Sequence, residues 1–135
     1  MSFSLSPTAI DSPVLGGDLS AGASVSFVGR VRNVNEGRSV TALEYEAFDE
    51  LAATEGMRIV EEAVRRFSIV HACCRHRVGK LALGEAAIHV EVLSGHRDEA
   101  FNACRWIVDE VKARVPIWKK EYYEDGVSEW LVPGG

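Results

Sequence analysis

Basic residues gather at three places in this chain: within Phe27-Val28-Gly29-Arg30-Val31-Arg32-Asn33, within Ser94-Gly95-His96-Arg97, and at Lys112 together with Pro116-Ile117-Trp118-Lys119-Lys120-Glu121. Arginine presents a planar fork of donors that grips oxyanions in pairs, which lysine cannot do, so Arg32 and Arg97 are candidates for holding a phosphate. His96 and Arg97 also stand where a helix is expected to begin. Unpaired backbone N–H groups and the positive end of the helix dipole favour an anion there. Lys112 and Lys119 suggest different chemistry, because a lysine crowded by other cations gives up its proton more readily and becomes a usable base or nucleophile. On a strand from Ile117, Lys119 and Glu121 share one face and Lys120 points to the other, so only one of the adjacent lysines faces a common pocket. Each cation also has a plainer reading, as a surface ion pair or as a lysine guarding a strand edge.

The run His71-Ala72-Cys73-Cys74-Arg75-His76 has the residue types of a zinc site but not the geometry. Strand alternation sends His71 and Cys73 to one face and Cys74 and His76 to the other, so four ligands do not converge, and no metal is expected. Nucleophilic cysteine chemistry is weakly supported, since only Arg75 and the two histidines would stabilise a thiolate. With Cys104 the chain has three cysteines, two of them adjacent, which suits free thiols in a reducing compartment better than a disulfide framework.

With 135 residues, 47% of them hydrophobic, the chain has the length of one domain, 1–135, and enough apolar material for a core. No stretch approaches the run of about 18 apolar residues that a membrane span requires. The first basic residue is Arg30, so the amino end lacks the cationic region of a secretory signal, and a cytoplasmic protein is expected. A net charge of −5 argues against general nucleic-acid binding, whereas local cationic spots on an acidic body suit a small anionic ligand.

The elements that must position these residues follow from periodicity. The first 20 residues read as a short strand and loop, with turn residues at Ser6-Pro7 and Gly16-Gly17. Val25, Phe27 and Val31 alternate with small or polar residues in a strand from Ala23 to Arg32, where Gly29 leaves room for a close neighbour. Asn35-Glu36-Gly37 turns the chain into a second strand, Val40 to Ala47, so the two strands read as a hairpin. Between Asp49 and Phe67 the spacing becomes helical, with Leu51, Ile59, Val60, Ala63, Val64 and Phe67 on one side. Strands follow at Ile69 to Arg77 and Ala86 to Leu93, the second alternating Ile88, Val90 and Val92 against His89 and Glu91. A second helix from Arg97 to Arg114 would bury Ala100, Phe101, Cys104, Ile107, Val108 and Val111, with Ser94 or His96 as its cap. Pro116 ends it at Val115, an extended segment from Ile117 to Tyr123 follows, and Asp125-Gly126 turns into a last strand from Ser128 to Val132. The expected class is α+β, with two main helices packed on a mainly antiparallel sheet.

Taken in order, these segments resemble the molybdopterin synthase catalytic (large) subunit family. The resemblance runs through Gly22-Ala23, Phe27 to Asn33, Leu43-Glu44-Tyr45-Glu46-Ala47, His76-Arg77-Val78-Gly79, Ser94 to Arg97 with Ala100-Phe101, Asp109 to Lys112, Pro116 to Glu121, Asp125-Gly126 and Trp130. It implies an α/β hammerhead-type fold and a homodimer within a heterotetramer, with a small ubiquitin-like sulfur carrier at each end. The carrier's C-terminal Gly-Gly thiocarboxylate would convert cyclic pyranopterin monophosphate to molybdopterin, with no metal or organic cofactor. By position, Lys112 and Lys119 would be catalytic. Arg30, Val31, Arg32, His96, Arg97, Lys120 and Glu121 would bind substrate. The chain's own Gly134-Gly135 reads as a flexible end rather than a carrier tail.

Arg97 and Lys112 are 15 residues apart on one expected helix, roughly 22 Å at 1.5 Å per residue, so one pterin does not touch both. The pocket is therefore expected to be completed across a dimer. Rival readings are a small phosphate-ester or acyl-phosphate hydrolase built on Arg32 and Asn33, and a non-catalytic dimeric anion-binding module. Strand alternation itself makes a prediction: Lys119→Ala abolishes product while Lys120→Ala weakens turnover less. Equal losses in a turnover assay would contradict the two-faced strand.

Overall fold

A computed structural model describes residues 1–11, 17–126 and 128–131. Among them run β1 (Ser2–Ser6), β2 (Ala23–Arg30), β3 (Val34–Asn35), β4 (Arg38–Ala47), α1 (Asp49–Phe67), β5 (His71–Arg77), β6 (Gly79–Ala82), β7 (Ala86–Ser94), α2 (Arg97–Arg114), β8 (Ile117–Tyr123) and β9 (Ser128–Leu131). Val132, Gly16 and Gly134-Gly135, which entered the reading above, lie outside the described residues.

The strands form two sheets instead of the single one expected, and β2 pairs with β7 rather than across the Asn35-Glu36-Gly37 turn, where the short β3 meets β4 instead. One sheet has the order β1-β5-β7-β2, and the other runs β3-β4-β8-β9 with β6 also paired to β4. The division falls at Gly79, whose φ of +88° turns the chain out of β5 and into β6, where it meets β4. Apart from the parallel β1–β5 pair, every ladder is antiparallel, and the α+β class stands.

Both helices lie on the first sheet, α1 against β1 and β5 and α2 against β2 and β7, and they pack on each other. Each has acidic residues in its first turn and basic residues in its last, matching the dipole. At the end of α2, Val115 turns extended ahead of Pro116 and its N–H donates back to the Val111 carbonyl at 3.1 Å. Arg114 ties this end to α1, donating to Glu55 at 2.7 and 2.9 Å and to Glu62 at 3.2 Å. The main core joins Ile59, Val60 and Ala63 of α1 and Ile107, Val108 and Val111 of α2 to Ala72, Cys74, Val90 and Val92 of the sheet. A smaller core of Val31, Val40, Leu43, Leu81, Ala87 and Tyr123 lies between the sheets, with Tyr45 packed against both.

Two expectations about burial are corrected. Leu51, placed on the apolar side of α1, is 58% exposed, and Ala52 takes the buried position in that turn. Phe101, placed in the stripe of α2, is 60% exposed and lies instead along a groove with Val25, Phe27 and Val108. On β7, His89 and Glu91 alternate with Ile88, Val90 and Val92 and are buried as well; Arg75 on the neighbouring strand donates to the Asp11 carbonyl, so chain from before β2 crosses there. Among the described residues no helix is long and apolar enough to cross a membrane.

Two glycines have steric reasons. Gly29 pairs with Ile88, and a Cβ on it would come within 2.8 Å of the Ile88 Cγ2. At Gly56, inside α1, a Cβ would overlap the Phe3 ring. Overpacking of this kind costs about 1–3 kcal/mol, which outweighs the roughly 1 kcal/mol of helix propensity that alanine would contribute. Gly56→Ala is therefore expected to lower the urea midpoint, and combining it with Phe3→Ala should cost less than the two changes summed. A midpoint above the parent's would show that propensity wins.

Candidate functional site

Seven elements, β2, β3, β4, β5, β7, α2 and β8, bring side chains to one cavity of about 210 Å³ between the two sheets. The end of β2 and the chain just after it supply Arg30 and Arg32, and the last turn of α2 supplies Lys112. Alternation along β8 buries Ile117, Glu121 and Tyr123 on one side, so Lys119 and Glu121 face the cavity together. Arg30 is braced by donating to the Gly84 carbonyl at 3.1 Å.

Glu121 organises this space. It is 2% exposed, its Oε1 accepts from the Asn35 amide at 2.8 Å, and the Lys119 ammonium stands 3.7 Å away. A buried carboxylate needs such partners, because removing it from water without them costs far more than a fold can supply. Its charge reaches two phenols as well: Tyr45 and Tyr123 are pushed up to about 12, by burial first and then by the neighbouring carboxylate. Both therefore remain protonated.

The other residues singled out in the sequence stand elsewhere. Val31 is buried in the smaller core, its N–H donating to the Glu85 carbonyl at 3.0 Å and its own carbonyl accepting from Gly84 at 2.8 Å. Lys120 is on the opposite face of β8, its ammonium 5.2 Å from the Tyr122 ring centre and 5.5 Å from that of Trp130. His96 caps α2 through its backbone without a side-chain hydrogen bond, and Arg97 opens the helix; both are exposed and neither lines the cavity. Lys112, by contrast, sits at the other end of the same helix.

Three polar lining residues were not singled out as site residues: Asn35, Tyr45 and His76. For His76 a signal existed, since parity with Cys74 places it on the core side of β5. Its ring is 9% exposed, edge-on to Tyr45 with centroids 4.8 Å apart, and its Nδ1 donates to the Arg77 carbonyl at 2.8 Å. Burial, with the Lys112 charge, pulls its pKa down to about 4 in spite of that hydrogen bond. The thiols are no nearer to chemistry: burial pushes Cys74 well above the usual range and Cys104 up to about 11.

Four cations around one shielded carboxylate, with amines and a neutral imidazole in the wall, make an anion-binding cleft able to donate and accept protons. Fold and cleft together define an α+β protein with a cation-lined cavity between its sheets. The family model described as MoaE protein matches residues 4–114. The molybdopterin synthase catalytic subunit of Pyrococcus abyssi is 54% identical over 115 residues, covering 85% of this chain and 76% of that one. The crystal structure of molybdopterin synthase from Staphylococcus aureus superposes with a TM-score of 0.87 at 31% identity, covering 94% of each chain. A complex of subunits 1 and 2 of molybdopterin-converting factor from Helicobacter pylori shares the fold, with a TM-score of 0.66 at 19% identity over 84% of this chain and 72% of that one. This chain belongs to the MoaE protein family.

The depressed pKa of His76 has a consequence for stability. Unfolded, the imidazole takes up a proton near pH 6.5; folded, it stays neutral until about pH 4. Between those values the unfolded state binds more protons, so stability falls as pH drops, by about 3 kcal/mol over the window. His89 and His71 are also lowered by burial and add to the slope in the same direction. Urea midpoints measured at pH 7 and pH 5 should differ less in His76→Gln than in the parent; an unchanged difference would show that His76 does not carry this slope.

Proposed function

We propose that this chain is the catalytic subunit of a molybdopterin synthase, a sulfurtransferase that converts cyclic pyranopterin monophosphate to molybdopterin. The observation that carries the reading is the meeting of Arg30, Arg32, Lys112, Lys119 and Glu121 in one cavity, on a chain 54% identical to a molybdopterin synthase catalytic subunit. The sulfur donor is the C-terminal thiocarboxylate of a small ubiquitin-like carrier subunit, whose Gly-Gly end is slender enough to enter the cleft. The fold shared with the two-subunit Helicobacter pylori complex supports a partner of this kind.

In this reading Arg30 and Arg32 hold the phosphate, since guanidinium groups match its oxygens in pairs. Lys112 and Lys119 are catalytic. They hold the carrier's terminal carboxyl group and exchange protons as each sulfur replaces an oxygen on the pterin side chain. Glu121 keeps the Lys119 ammonium turned into the cavity. The step needs no metal or organic cofactor. The chain works as one domain, and its three free thiols fit the cytoplasm.

A second copy completes the site. A cavity of about 210 Å³ is small beside the roughly 300–1,000 Å³ of ordinary ligand pockets. His96 and Arg97 lie too far along α2 to help within their own chain, and they approach from the partner of a homodimer that carries one sulfur carrier at each end.

Incubating the protein with thiocarboxylated carrier and the cyclic pterin should yield molybdopterin by mass spectrometry, and Lys119→Ala should yield none. Release of phosphate without a carrier would indicate a hydrolase instead. Mixing Lys119→Ala with Arg97→Ala chains should restore part of the activity, because the heterodimer rebuilds one intact site; no restoration would count against sharing.

A further inference from the structure

Most polar groups in the cavity wall are donors: the four cations and the Asn35 amide. Glu121 is the charged acceptor among them: its Oε1 faces Asn35 and Lys119, while its buried Oε2 has no hydrogen-bond partner among the described residues and suits a cationic or strongly polarised donor. His76 differs. A carbonyl oxygen only accepts, so the 2.8 Å contact with the Arg77 carbonyl fixes the proton on Nδ1 and leaves the lone pair on Nε2. No described side chain donates to that Nε2. The perpendicular Tyr45 ring packs beside the imidazole and limits its rotation. Facing the same space are Lys112 of α2, Tyr45 of β4, Lys119 and Glu121 of β8, and Arg30 and Arg32 at the end of β2. Burial, with the Lys112 charge, keeps the ring neutral down to about pH 4, so Nε2 is an acceptor throughout the neutral range.

We propose that His76 is a specificity-determining residue whose Nε2 accepts a hydrogen bond from an uncharged N–H or O–H group of the guest, while the cations hold the guest's anionic end. This rests on the reading of the cavity as the pterin site. A pterin carries amino and ring N–H donors, and the cations alone would not tell it from other phosphates. A buried acceptor left unpaired is costly, so a guest without a donor at that position is disfavoured.

The test is titration calorimetry of the whole protein with cyclic pyranopterin monophosphate and, separately, with inorganic phosphate. His76→Leu removes the acceptor and should weaken pterin binding on the order of tenfold while leaving phosphate binding unchanged. His76→Gln offers an amide oxygen at the same reach and should recover most of the loss. Parental pterin affinity in His76→Leu, or equal losses in both variants, would overturn the proposal while leaving the pterin reading intact. Should the leucine variant not fold, the ¹⁵N spectrum of the parental imidazole decides: the pterin should move the Nε2 resonance and phosphate should not, and an unmoved resonance overturns the assignment. A parent protein that binds phosphate but no pterin would overturn the pterin reading and His76's role with it.

Discussion

A carboxylate buried to 2% exposure has to be neutralised by its surroundings, and at Glu121 that requirement shapes the whole cleft. Asn35 satisfies part of it from β3, and Lys119 supplies the opposite charge from two residues away on β8. The pairing holds only if the β4–β8 register is kept, because a slip of one residue would send Glu121 outward and Lys120 inward. Leu43 lies opposite Glu121 and Tyr45 opposite Lys119 on β4, so the smaller core and the charged centre are set by the same ladder.

The rest of the fold delivers Lys112 and His76 to that centre. α2 is held over β2 and β7 by Ile107, Val108 and Val111, and its last turn is tied to α1 through Arg114. This fixes where Lys112 emerges. β5 carries Ala72 and Cys74 into the core on the same side, and His76 continues that row to the cavity wall. Lysine and imidazole therefore come from opposite layers, and burial, helped by the cation, keeps the ring unprotonated. Stability and site chemistry are coupled here: the neutral imidazole available to a guest is also a source of acid sensitivity.

What was legible in the sequence was whatever local spacing determines. Both helices fall on Asp49–Phe67 and Arg97–Arg114, and β8 on Ile117–Tyr123, because caps, Pro116 and periodicity are short-range signals. The two faces of β8 followed from parity alone. The second sheet was not legible, since Gly79–Ala82 has only four residues and its pairing with β4 is non-local. Leu51 and Phe101 were misplaced because a helical stripe shows which residues are apolar, not how far the sheet beneath extends. Tyr45 stood in the matching stretch Leu43 to Ala47 and Asn35 in a turn, but nothing local marked either as lining a site; only the pairing of β3 with β4 and of β4 with β8 makes them neighbours of Glu121.

The geometry of α2 also bears on assembly. A straight helix of 18 residues keeps its two ends about 25 Å apart, whatever the side chains do. Lys112 therefore belongs to this chain's cavity, and Arg97 is outside it. If both serve one anionic guest, as the proposed function requires, a second chain must bring its own helix start to this chain's helix end. On that proposal the exposed start of α2 carries His96 and Arg97 to a guest whose other groups are held by Arg30, Arg32, Lys112 and Lys119 of the neighbouring chain.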